Sequence, residues 1–190
     1  MSDSGEDRSA WVRFRGAMQA FPEARLAHAR AEGYGRAWQD VLGAPDDAQV
    51  RKFARAYAIE VAEFYSSAVD VMPEVPDAWH RWRAQGAIDS PGPDAGSVGP
   101  VPGDRQLSKP GTWAYASCLE AIGYARGWCD AAGVGSGDAV AFGERYRGLV
   151  AAGGSRPAIH DAWERWCADR AAGICSRASV SDAGEEVGRG

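Results

Sequence analysis

Asp77-Ala78-Trp79-His80-Arg81-Trp82 returns later in the chain as Asp161-Ala162-Trp163-Glu164-Arg165-Trp166. Reading outward, Gly33-Tyr34-Gly35-Arg36-Ala37-Trp38-Gln39-Asp40 returns as Gly123-Tyr124-Ala125-Arg126-Gly127-Trp128-Cys129-Asp130. Between these blocks, Phe53 and Tyr57 return as Phe142 and Tyr146. The offsets, in chain order, are 90, 89 and 84 residues. Three blocks in one order with small gaps read as an internal duplication.

The spacing of apolar residues makes both copies helical. Trp11, Phe14, Met18 and Phe21 share one face of a short N-terminal helix, and Pro22 stops it. Residues 1–8 carry no such face and are expected to be disordered. The next helix runs from about Glu23 to Leu42, with Ala27, Ala31, Tyr34, Trp38 and Val41 on one side. Gly33 and Gly35 sit in its middle, where each costs about 1 kcal/mol relative to Ala. A compensating gain would be the close approach of another helix or ring. Asp46 or Asp47 caps a third helix, in which Val50, Phe53, Tyr57, Val61 and Phe64 form an amphipathic stripe. A fourth begins near Asp77 and ends near Gly86.

Residues 86–112 are rich in Gly and Pro, nearly free of large apolar side chains, and read as a linker. A flexible chain of that length spans roughly 30 Å, so it can join two repeats in one chain or let them exchange between two chains. The second copy follows: a helix from Trp113 capped by Thr112, one from Asp138, and one from Pro157 to about Ala172. The organisation expected is an N-terminal tail and short helix (1–22), helical repeat 1 (23–88), a Gly/Pro-rich linker (89–112), helical repeat 2 (113–175) and a disordered tail (176–190). The fold class is all-α. Two repeated three-helix units pack about a pseudo-twofold axis and bury the repeated aromatics between them.

Composition narrows the function. The chain has 190 residues, 45% of them hydrophobic and 25% charged, enough for a real core. Of its 21 basic residues only Lys52 and Lys109 are lysines, a bias that suggests a GC-rich genome. The net charge is −5 and Arg is interleaved with Asp and Glu, which argues against nucleic acid as a partner. No apolar run approaches the roughly 20 residues a bilayer demands, and the acidic start lacks a signal-peptide layout. A cytoplasmic protein with reduced thiols is expected.

The repeated polar residues are the candidate chemistry. Arg36 and Asp40, Arg126 and Asp130, Asp77 and Arg81, and Asp161 and Arg165 are each four apart. On a helix such pairs are neighbours worth about 0.2–0.5 kcal/mol, and ion pairing along the helix surface explains all eight residues. The functional alternative sets the two Arg-Asp pairs face to face across the axis. Tyr34, Arg36, Trp38, Asp40, Tyr124, Arg126, Trp128 and Asp130 would then line an aromatic groove between the repeats, with an Arg reaching an anionic ligand.

Cys118 and Cys129, eleven apart on one helix, lie about 16 Å apart and cannot share a zinc ion or a disulfide. The four cysteines read as small apolar residues, and no metal or cofactor is expected. His80 falls on the solvent side of its helix. No phosphate loop, di-iron pattern or nucleophile–base pair can be assembled from the spacing. The expectation is a non-enzymatic interaction or regulatory protein, open to homodimerisation, that binds a protein partner through a Trp-rich helical face. The alternative is a small-molecule binder or an enzyme using the groove.

Overall fold

The computed structural model describes residues 3–67, 71–85, 110–135, 138–153 and 156–172. Among these residues the chain is helical throughout: α1 (Asp3–Ala20), α2 (Pro22–Leu42), α3 (Asp47–Ser66), α4 (Val75–Ala84), α5 (Pro110–Ala131), α6 (Ala139–Gly153) and α7 (Ile159–Ala171). The expected linker and C-terminal tail fall almost wholly outside the described residues. No helix among the described residues is long and apolar enough to cross a membrane.

Three boundaries differ from the sequence reading. α1 starts at Asp3, where a disordered segment is expected. A polar stretch carries no periodic signal, yet it can extend a helix that the Trp11–Met18 face has already nucleated. α5 starts at Pro110, ahead of Thr112, consistent with the fixed φ of proline suiting a first turn. α7 starts at Ile159, two residues after Pro157.

Local chemistry accounts for the other ends. Pro22 opens α2, and Gly43 closes it with φ 71, its N–H donating to the Gln39 carbonyl at 2.7 Å. Asp46 caps α3 in a reciprocal box with Gln49: the Gln49 N–H donates to Asp46 Oδ1 at 2.8 Å, and the Asp46 N–H to Gln49 Oε1 at 3.1 Å.

The chain divides into two compact units, residues 1–156 and 157–190. In the first, α2 lies along α5, α3 packs on α2, and α6 packs on α5. α1 covers α3, and α4 packs on α2 and α3. One buried cluster joins Tyr34, Trp38, Phe53, Tyr57, Val61, Trp79 and Trp82. Trp79, wholly buried, is its hub: its ring is edge-on to Phe53 at 4.8 Å and to Tyr34 at 6.0 Å, and stacks on Trp82 at 5.5 Å. A second cluster, Phe14, Met18, Ala24, Ala58 and Ala62, seats α1.

The second unit consists, among the described residues, of α7 and its flanks. His160 faces Glu164 at 3.3 Å one turn on, and Arg170 lies over the Trp166 ring at 5.9 Å. Arg165 donates to the Asp161 backbone carbonyl at 3.3 Å, not to its carboxylate.

Candidate functional site

The two repeated Gly-Tyr blocks lie in α2 and α5, and there the helices touch backbone to backbone. A Cβ at Gly33 would collide with the Glu120 carbonyl, and one at Gly123 with the Arg30 carbonyl. Gly127 lies equally close to the Tyr34 backbone, 2.5 Å from its carbonyl oxygen for an added Cβ. Gly35 serves a different neighbour, with Val50 and the Trp79 ring against it. The mid-helix glycines thus take the approach of a helix at one position and of side chains at the other. At Gly33 and Gly123 the two helices are in backbone contact.

The tyrosines of the two blocks hold this seam. The Tyr34 hydroxyl on α2 donates to Asp130 Oδ2 on α5, and the Tyr124 hydroxyl on α5 donates to Asp40 Oδ2 on α2 at 2.6 Å. Both rings are completely buried. Burial raises the ionisation of Tyr34 well above the ordinary tyrosine range, and the Asp130 carboxylate beside it adds to the rise. Both hydroxyls therefore act as donors to a carboxylate, the stronger kind of hydrogen bond. The tyrosines tie one helix to the other.

The arginines do not pair with the aspartates four residues on. Arg36 reaches Glu32 at 2.6 Å and Glu120 of α5 at 3.1 Å. Arg81 pairs with Glu60 of α3 and not with Asp77. Arg126 is half-buried and makes no hydrogen bond or ion pair among the described residues. An exposed pair on one helix gains only a few tenths of a kcal/mol, whereas the Glu120 carboxylate on the next helix is desolvated and attracts a guanidinium more strongly. Spacing alone cannot register that competitor.

Glu120 is the residue the sequence reading passed over. It stands within the apolar run Ser117-Cys118-Leu119-Glu120-Ala121-Ile122, and its side chain is only 7% exposed. Arg36 approaches one carboxylate oxygen and Arg156 the other. Burial pushes the carboxyl upward from its usual range, and the Arg156 and Arg36 guanidiniums work against that rise. Burial works to lower the Arg156 ionisation, but the Glu120 charge overrides it and holds the guanidinium firmly protonated. Arg156 also donates to the Tyr146 hydroxyl at 3.4 Å. A lone carboxylate inside an apolar helix was the available signal, since such a group must find a cation.

Asp130 gathers a second donor. His80 Nε2 on α4 lies 3.2 Å from Asp130 Oδ2, and both side chains are more than a third exposed. Trp38 stands edge-on to the His80 ring at 5.8 Å, and the Arg83 guanidinium lies over Trp38 at 4.5 Å. His80 is on the solvent side of its helix, and its partner comes from α5.

The tryptophans face inward. Trp38, Trp79, Trp82, Trp163 and Trp166 are all buried, and Trp11, Trp113 and Trp128 are half-buried. Rings at helical spacing turn toward the interior, where they remove the most area from water. Cys118 and Cys129 are buried and Cys167 is exposed, while Cys175 lies outside the described residues. Burial, helped by Glu144, pushes the Cys118 thiol up to about 11. Among the described residues no group of three His, Cys, Asp or Glu could hold a metal ion. Comparison with protein-family models, curated proteins and solved structures finds no match.

Proposed function

We propose that this chain is a duplicated helical scaffold that binds a protein partner through its outer surface and carries out no reaction of its own. The duplication reading draws support from reciprocal contacts. Gly33 meets residue 120 and Gly123 meets residue 30, while Tyr34 meets Asp130 and Tyr124 meets Asp40. Each contact becomes its fellow when 90 is added to one number and subtracted from the other, the relation a twofold axis between α2 and α5 would impose.

The observation that carries the interaction reading is the closed α2–α5 seam. The repeated Gly, Tyr and Asp residues are spent inside the fold, on joining helices, and leave no groove at the centre for a substrate. What the scaffold offers outward is apolar. Tyr65, 46% exposed, lies at the end of α3, and Val71, 76%, and Met72, 38%, lie ahead of α4. Phe64 packs edge-on against Tyr65 at 5.1 Å, and Tyr57 donates to the Pro73 carbonyl at 2.8 Å. Exposed large apolar side chains at the end of α3 and ahead of α4 suit a contact surface for another protein. Tyr65, Val71 and Met72 are thus the anchors of this reading, in place of the tryptophans.

The test compares captured partners for the natural chain and a Tyr65→Ser, Val71→Ser, Met72→Ser variant, each checked for an unchanged melting temperature. The expected result is a folded variant that loses its partner. A variant that retains every partner sinks this surface as the site.

A further inference from the structure

The ion pair at one side of the α2–α5 crossing has no fellow at the other. The Glu120 carbonyl lies on Gly33, and Arg36 follows Gly33 by one turn and bonds the Glu120 carboxylate. On the opposite side the Arg30 carbonyl lies on Gly123, and Arg126 follows Gly123 by one turn. The residue at the position equivalent to Glu120 is therefore an arginine. Arg30 Nε is buried without a hydrogen-bond partner, and neither Arg30 nor Arg126 has an ion pair among the described residues. The Arg30 charge acts on the Tyr57 hydroxyl, as the Arg156 charge acts on Tyr146. Glu74, Glu60 and Arg81 act on the same hydroxyl, but Glu60 is already paired with Arg81, and Glu74 forms no ion pair among the described residues.

We propose that Arg30 and Arg126 form a binding site for a small oxyanion, a carboxylate or a phosphate group. Its charge takes the place that the Glu120 carboxylate fills on the other side of the crossing. Two unpaired guanidiniums brought together repel each other, and a bound anion relieves that repulsion while gaining charge-assisted hydrogen bonds. Arg is suited to the role because its planar fork matches both carboxylate and phosphate. The inference rests on the duplicated packing proposed above.

The experiment uses the full chain and inorganic phosphate, with acetate as a second arm and chloride at matched ionic strength as reference. Phosphate raises the melting temperature saturably, by about 5 °C or more at a hundredfold excess over its dissociation constant. Acetate gives a smaller rise if carboxylates are also accepted. Arg126→Gln loses the response. Arg30→Glu recreates the ion pair, melts higher than the natural chain in chloride, and no longer responds to phosphate.

Equal melting in phosphate and chloride overturns the site, as does a response that survives Arg126→Gln. The two readings separate cleanly. If Arg30→Glu melts higher but the natural chain ignores phosphate, the duplicated packing stands and the site falls. If Arg30→Glu melts lower while the phosphate response still requires Arg126, the site stands and the duplicated packing falls.

Discussion

The α2–α3 and α5–α6 hairpins carry the same sequence blocks but close their interiors differently. In the first, α3 leans on α2 through Val50 against Gly35, and the Trp79 ring of α4 completes the contact. In the second, α6 comes closer: a Cβ on Gly143 would meet the Cys118 carbonyl at 3.0 Å and run into the Ile122 side chain. The first hairpin fills its interior with rings. The second brings backbones together and buries a carboxylate held by two guanidiniums. Shared blocks therefore fix the seam between α2 and α5, and leave each hairpin free to solve its own packing. Gly33, Tyr34, Gly123 and Tyr124, which face the seam, recur between the two blocks, while Gly127 answers to Ala37 and residues 30 and 120, also at the seam, differ in charge.

That contrast can be broken at its most costly point. Glu120→Leu removes the buried carboxylate that Arg36 and Arg156 share and is expected to destabilise by about 3–5 kcal/mol in denaturant melts. A loss under about 1 kcal/mol would mean the pair contributes nothing to the second hairpin. Next come Gly33→Ala and Gly123→Ala, each expected to cost about 2–3 kcal/mol because the added methyl meets backbone that cannot rotate away. The seam reading requires the two costs to be similar. Tyr34→Phe and Tyr124→Phe come lower, at about 1–2 kcal/mol each, since each aspartate loses a donor but is exposed enough to find water.

The hairpins should also share an alkaline weakness. Burial pushes Tyr57 of α3 up from 10.0 to about 12, and burial raises Tyr146 of α6 against the opposing pull of Arg156. A phenol whose folded ionisation is raised favours the fold while neutral. Its contribution is complete below pH 10 and is lost as the pH climbs toward 12. Absorbance titration of tyrosinate alongside circular dichroism checks this, with unfolding and late ionisation expected together. The smallest effect is a gain. Gly148→Ala on α6 has open space around the new methyl and should stabilise by up to about 1 kcal/mol. A loss there would show α6 to be packed on a side that the structure leaves open.

Much of the helical layout was legible because periodicity and end signals are local. The Val50–Val61 stripe, the Asp46–Gln49 box and the Gly43 stop each depend on residues within a few positions. The cost of two glycines in one helix also announced a close neighbour. The start of α1 was not legible, since a polar segment extends a helix without leaving a pattern. For the candidate site, the residue identities were legible and their partners were not. Tyr34, Asp40, Tyr124 and Asp130 do come together, but as ties between helices. Arg36 was assigned to Asp40 although Glu32 stands four residues to its other side on the same helix, and Glu120 was missed because its cations come from α2 and from residue 156.

By itself the sequence determined that the described chain would be helical, with one face of each helix turned inward and glycines where something must approach. These are consequences of short-range geometry, which every residue carries with it. Only the tertiary structure decided which carboxylate each arginine and tyrosine would meet. Burial strengthens charge pairing across helices far beyond what neighbours on one exposed helix can offer, and burial is a property of the whole fold.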